Sequence, residues 1–285
     1  MNVRTLCKAA ALLMLAGQLG GCASGSLFGG SDDTPTVETK PPDVLYKEAN
    51  AKLDGGDYTE AAKKFEEVDR QHPYSNEARE ATIMAAFAYE KANKLPEAVA
   101  AARRYLELHP GTKEAALAQN IIASSYYDRI NDATRDQGDT KKALTELETL
   151  VNRYPDSRYA EQAKKRIRVA RDVLAASEMN VGRWYQKKGE YLGAINRFRT
   201  VVTDYQTTAH VEEALMRLTE CYYALGITNE AQTAAAVLGH NFPDSKWYKD
   251  AYALLEANGL QPHEDSGSWI SRQWQKIAGS SNKAG

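Results

Sequence analysis

The chain has 285 residues, of which 43% are hydrophobic and 26% charged, and its formal net charge is −2. Those values allow a sizeable buried core, exclude the apolar-poor, highly charged composition of disordered chains, and offer no strongly basic surface of the nucleic-acid-binding kind. The cysteines Cys7, Cys22 and Cys221 make no disulfide framework, and no two of the histidines His72, His109, His210, His240 and His263 stand at i, i+3 or i+4 as ligands on one helical face. Neither a G-x-S-x-G nucleophile turn nor a phosphate loop occurs. The expectation is a binding protein, not an enzyme, without metal or cofactor.

Residues 1–21 begin with the basic Arg4 and Lys8 and continue into an apolar run from Ala9 to Ala16. A membrane-spanning helix needs about 20 apolar residues, so this run reads as an export signal. Leu19-Gly20-Gly21-Cys22 resembles the bacterial lipobox. That resemblance implies cleavage before Cys22, diacylglycerol on its sulfur and a further acyl chain on its amine. Three chains hold a protein to a membrane far more firmly than one. Ala23 rather than Asp at the next position implies, by the bacterial sorting rule, an outer-membrane destination. Residues 22–43 are dominated by Ser, Gly, Thr, Asp and Pro and read as a flexible tether, with a reach of roughly 25 Å.

From residue 44 to residue 258 a pattern repeats. An alanine is followed twelve residues later by a proline slot at Ala61/Pro73, Ala98/Pro110, Ala143/Pro155, Ala194/Gln206 and Ala231/Pro243. Eight residues after each slot stands a second alanine: Ala81, Ala118, Ala163, Ala214 and Ala251. Gly56, Gly138, Gly189 and Gly226 precede the first alanine by five residues, and the ring-bearing His72, His109, Tyr154, Tyr205 and Phe242 precede the slot. Small residues let helices approach, glycine turns the chain inside a pair, and proline stops the helix before it. With Tyr191 and Phe198, the unit at Gly189 resembles the tetratricopeptide repeat. The fold expected is all-α, a helical-repeat solenoid of about five helix pairs.

First alanines are 37, 45, 51 and 37 residues apart. The polar, turn-like surplus around Asp128–Gly138 predicts a loop. The larger surplus, within residues 156–188, lacks proline and amounts to about four whole helical turns. One long helix is predicted there, dividing units 1–3, about residues 44–155, from units 4 and 5, about 156–258. It carries a basic stripe, Lys164, Arg168 and Arg171 with Lys165 and Arg166 beside them, continued by Arg183, Lys187 and Lys188. A solvated face explains it, and the alternative is an electrostatic landing site for an acidic partner. In the tail, residues 259–285, Ile270, Trp274 and Ile277 recur at helical spacing. They serve a cap, a partner or a lipid surface, and the two tryptophans, Trp269 and Trp274, tilt the reading towards a partner. Cys221 shares a helical column with Ala88, Ser125 and Ala170 and reads as core.

Three stretches carry a closer resemblance: Tyr154-Pro155-Asp156-Ser157-Arg158-Tyr159-Ala160, Glu178-Met179-x-x-Gly182-Arg183-Trp184-Tyr185, and Ala194-Ile195-Asn196-Arg197-Phe198 running on to Val211-Glu212-Glu213-Ala214. Together with the uneven spacing they resemble the BamD family, lipoproteins of the machine that folds β-barrel proteins into the outer membrane. The resemblance implies that the amino-terminal units hold unfolded barrel precursors, at Tyr58, His72, Pro73, Tyr74 and Tyr89. It implies that the carboxy-terminal units grip a periplasmic domain of the BamA subunit, at Arg197, Asn196, Trp184 and Arg183. Further assembly-complex lipoproteins are expected partners. The alternative is an adaptor of the Tol and peptidoglycan machinery, whose repeats share the pattern of Asp57 to Pro73.

Overall fold

Alanine, glycine and proline at fixed phases dictate helices of similar length, closed in two alternating ways. The computed structural model describes residues 40–281, and among them are twelve α-helices and no strand. The first helices of the five pairs are α1 (Pro42–Asp54), α3 (Asn76–Lys91), α5 (Ala115–Tyr127), α7 (Ala160–Lys187) and α9 (Val211–Ala224). The second helices are α2 (Tyr58–Gln71), α4 (Leu95–Leu108), α6 (Gly138–Arg153), α8 (Tyr191–Asp204) and α10 (Thr228–Asn241). After them come α11 (Lys246–Glu256) and α12 (Trp269–Ser281). Each helix up to α11 packs on the next, and α1 also touches α3, α3 touches α5 and α9 touches α11.

Turns within a pair rest on one residue in the left-handed region. Gly56, Gly189 and Gly226 have φ of 80°, 77° and 74°. The following N–H reaches back five residues in each case, as from Asp57 to the Lys52 carbonyl at 2.9 Å and from Ile227 to that of Tyr222 at 2.9 Å. This closes the orphan carbonyls of the first helix. In the second unit Asn93 does the same at φ 56°, because asparagine tolerates this conformation better than other side chains. Gly138 departs from its column: it opens α6, its N–H donating to Asp136 Oδ1 at 2.9 Å.

Turns between pairs use the proline slot. The preceding residue leaves the helix at φ −136° for His72 and His109, −132° for Tyr154 and −137° for Phe242, since proline disfavours the helical conformation in its predecessor. Tyr205, before Gln206, reaches φ −128° without a proline. A hydroxyl two places past the slot completes the turn: Thr112 and Thr208 donate to the carbonyls of His109 (3.0 Å) and Tyr205 (2.8 Å). Ser75 and Ser245 instead accept the N–H groups of Ala78 (2.9 Å) and Trp247 (3.2 Å), capping the next helix.

All ten column alanines are buried. The apolar core gathers in three clusters: one over α1–α5, a small one joining α5, α6 and the start of α7, and one from the middle of α7 to α12. The 28-residue α7 is the predicted long helix. Its flanking first helices sit at different heights. The Arg166 guanidinium donates to Ser124 Oγ at 2.7 Å and lies 4.8 Å from the Tyr127 ring centre, so α5 ends beside the early turns of α7. The run into α9 is level with the middle of α7, where His210 Nε2 is 3.7 Å from Asp172. The surplus of fourteen residues displaces the second half by about 21 Å along the helix.

After α11 the chain turns once more at Gly259, φ 72°, then runs back along α10. Gln232 donates to the Gln261 carbonyl (2.7 Å) and the Asp265 N–H to Thr233 Oγ1 (3.1 Å). In α12 the Ile270 side chain is fully buried, Trp269 Nε1 donates to the Tyr222 hydroxyl (2.9 Å), and Trp274 meets Phe242 edge-on with centroids 6.3 Å apart. The reading that favoured a partner for these tryptophans is therefore corrected: they cap the solenoid, since a second helix to follow α11 is missing and α10 needs cover.

Candidate docking surfaces

The end of α2 places His72, Pro73 and Tyr74 together. His72 Nε2 lies 2.7 Å from the Lys40 carbonyl, which ties the approach to α1 onto this corner. Tyr74 is 101% exposed and Leu108 56%. Pro73, Tyr74, Ser75, Arg79, Leu108 and His109 line a pocket of 380 Å³, a size that suits a side chain or two of a docked segment. Leu108 and His109 come from the next unit, where they hold the corresponding end of α4. His109 was legible as a member of the His72 column; Leu108 was legible only as its neighbour.

The other two amino-terminal candidates lie elsewhere. Tyr58 starts α2, about 20 Å from its far end by helical rise. Tyr89 is 8% exposed inside α3, and burial, with the charge and hydrogen bond of Glu66, pushes its phenol up to about 12. Nearby, Asp69 of α2 pairs with Arg104 of α4 at 2.5 Å and borders both the Tyr74 pocket and a smaller cleft beside Glu66.

The carboxy-terminal candidates do not form one patch. Arg183 donates to Glu213 on α9 (2.9 Å) and to Asn180 (2.7 Å), while Arg197 on α8 donates to Glu178 on α7 (3.2 Å). Asn196 is exposed beside Arg197. With each residue advancing about 100° around the helix, Glu178, Arg183 and Trp184 leave α7 in three directions. Trp184, 56% exposed, looks towards unit 3. It lines a 440 Å³ pocket with Val181, Asn180 and the loop residues Ala133, Thr134 and Arg135. The loop was legible in the sequence as an insertion. Its contact with α7 was not, because that contact exists only once α7 runs past the end of α5.

The basic stripe also divides. Arg166 turns to α5, Arg171 pairs with Glu148 (2.7 Å) and Lys164 with Glu161 (2.6 Å). Lys165, Arg168, Lys187 and Lys188 are exposed. Cys221 is wholly buried, and burial foremost pushes its thiol up to about 12, so it is an inert core residue. Among the described residues no group of three His, Cys, Asp or Glu side chains is arranged to hold a metal ion, and no helix is long and apolar enough to cross a membrane. Cys22 and the leader lie outside the described residues.

The family model described as "YfiO: Outer membrane lipoprotein" matches residues 38–238. A protein of Caulobacter vibrioides named "Outer membrane protein assembly factor BamD" is 42% identical over 254 residues, spanning 88% of this chain and 81% of its own length. The chain belongs to the BamD family. Its relative of the same name in Rickettsia prowazekii is 38% identical over 246 residues, 86% of this chain and 95% of its own. In Neisseria meningitidis serogroup A the family member is 33% identical over 218 residues, 73% of this chain and 82% of its own. The family span takes in both the Tyr74 and the Trp184 pockets.

Proposed function

We propose that this chain is a noncatalytic subunit of the complex that assembles β-barrel proteins in the outer membrane. It is held on the periplasmic face by lipid on Cys22, takes unfolded barrel precursors on its amino-terminal units and binds the BamA periplasmic domain with its carboxy-terminal units. The observation that carries this reading is the 42% identity, over 88% of the chain, to a protein named as an outer membrane assembly factor. Geometry supports a division of labour. An exposed tyrosine, Tyr74, and Leu108 border the pocket of the first two units, whereas Trp184 borders a separate one on α7. Such concave, partly apolar surfaces bind segments without chemistry and release them readily.

The test is an affinity pull-down of the tagged full chain from gently solubilised outer membrane. A stoichiometric large barrel protein with periplasmic repeats is expected; Tol or peptidoglycan-synthesis proteins in its place overturn the reading. Arg197→Glu is expected to reduce recovery of that barrel protein, and unchanged recovery removes Arg197 from the interface. Cys22→Ser is expected to release the protein from the membrane fraction.

A further inference from the structure

The helix α7 receives α9 on one face. Arg183 donates to Glu213 at 2.9 Å and Gln186 to Glu220 at 2.7 Å, with Arg217 of α9 bonded to both glutamates between them. Eighteen residues upstream on α7 stand Lys165 and Arg168. Eighteen residues are about five whole turns, so Lys165 repeats the direction of Arg183 and Arg168 that of Gln186. There the face is bare. Lys165 and Arg168 are exposed, Val169 beside them is 48% exposed, and neither cation makes an ion pair among the described residues. The cause is the length of α7, because the chain does not reach this side of it until His210, at the level of Asp172. The neighbouring Glu161 is ion-paired with Lys164, and Lys165 and Arg168 add only longer-range attraction to its carboxylate.

We propose that this upstream face is a second helix-docking site, which takes an acidic amphipathic helix from a partner polypeptide. That helix carries carboxylates seven residues apart, as Glu213 and Glu220 are on α9, and lays an apolar residue on Val169. The face lies in line with the α9 contacts and ends where the run into α9 arrives at Asp172, a continuation that suits a stacked helix better than a flat lipid surface. Where Met179 lies buried in the downstream half of α7, the upstream half has Glu161, so the contact is electrostatic, salt-sensitive and reversible.

The probe is a stapled helical peptide with the sequence of α9, Val211–Ala224, and binding to the purified full chain in detergent is read by fluorescence anisotropy. Binding is expected, weakening with added salt and by about tenfold in the double variant Lys165→Glu/Arg168→Glu. Lys188→Glu, just past the end of the same helix and off this face, is expected to leave it unchanged. Circular dichroism and melting temperature of the double variant serve as the folding control. No binding, or equal binding to the double variant, overturns the proposal. So does a double variant that loses binding to anionic phospholipid vesicles while keeping the peptide, since the face would then serve a lipid surface.

Discussion

Gly182 sits inside the longest helix of the fold, where helix propensity alone favours alanine by about 1 kcal/mol. A Cβ at this position would run into the Phe198 ring, which is wholly buried between α7 and α8. Overpacking of this kind costs about 1–3 kcal/mol. Gly182→Ala is therefore expected to lower the midpoint of urea unfolding, and a rise would mean that the ring moves aside at no cost. Gly239 plays the same part under Tyr248. Titration supplies a second test. Burial first, then Glu66, raises Tyr89 from the ordinary value of 10.0 to about 12. Below the ordinary value both folded and unfolded chains keep this proton and stability is unaffected. Between the two values the unfolded chain loses it first, so stability falls as pH rises. Tyr89→Phe should flatten the fall of melting temperature over that alkaline range, though Tyr46, Tyr105, Tyr205 and Tyr222 are raised too and contribute the remainder.

At the level of helices and turns, the tail carries the clearest prediction. Deleting residues 266–285 strips Ile270, Trp269 and Trp274 from the end of the solenoid. Their apolar burial is worth about 3 kcal/mol, equivalent to roughly 6–12 °C in melting temperature for a domain of this size. Calorimetry on the truncated chain should show that loss, and a shift below 2 °C would mean that the tail decorates rather than caps. Helix ends were largely legible beforehand because alanine, glycine and proline act locally: proline constrains its predecessor and glycine permits a left-handed turn wherever the chain folds. The same locality explains the misses. Asn93 does a glycine's work because the left-handed conformation is open to more than one residue type, and Gly138, in the glycine column, opens α6 instead of turning the chain. The hydroxyls of Ser75, Thr112, Thr208 and Ser245 are too common in turns to stand out until their partners are seen. The candidate site was legible only in part, at His72, Pro73 and Tyr74, which are adjacent in the chain. Trp184 and Arg183 are also adjacent, yet they leave their helix on different sides and meet different neighbours.

Across the whole molecule, α7 belongs to two cores at once. Its early turns join the small cluster with α5 and α6, and its later turns join the large cluster reaching to α12. Repeat proteins gain stability from nearest-neighbour contacts, and here the neighbours on the two sides of α7 do not overlap in height. Native-state hydrogen exchange is expected to resolve two cooperative openings, α1–α6 and α8–α12, with the middle of α7 protected in both. A single opening would show that the stagger does not weaken the coupling. An open-ended solenoid has one further liability. Its last repeat presents the surface on which another repeat would stack, so one molecule is a template for the next and chains of molecules grow head to tail. Here the returning segment after Gly259 lays α12 over α10, with Ile270 buried and Trp274 against Phe242, and that end of the stack is closed to polymerisation.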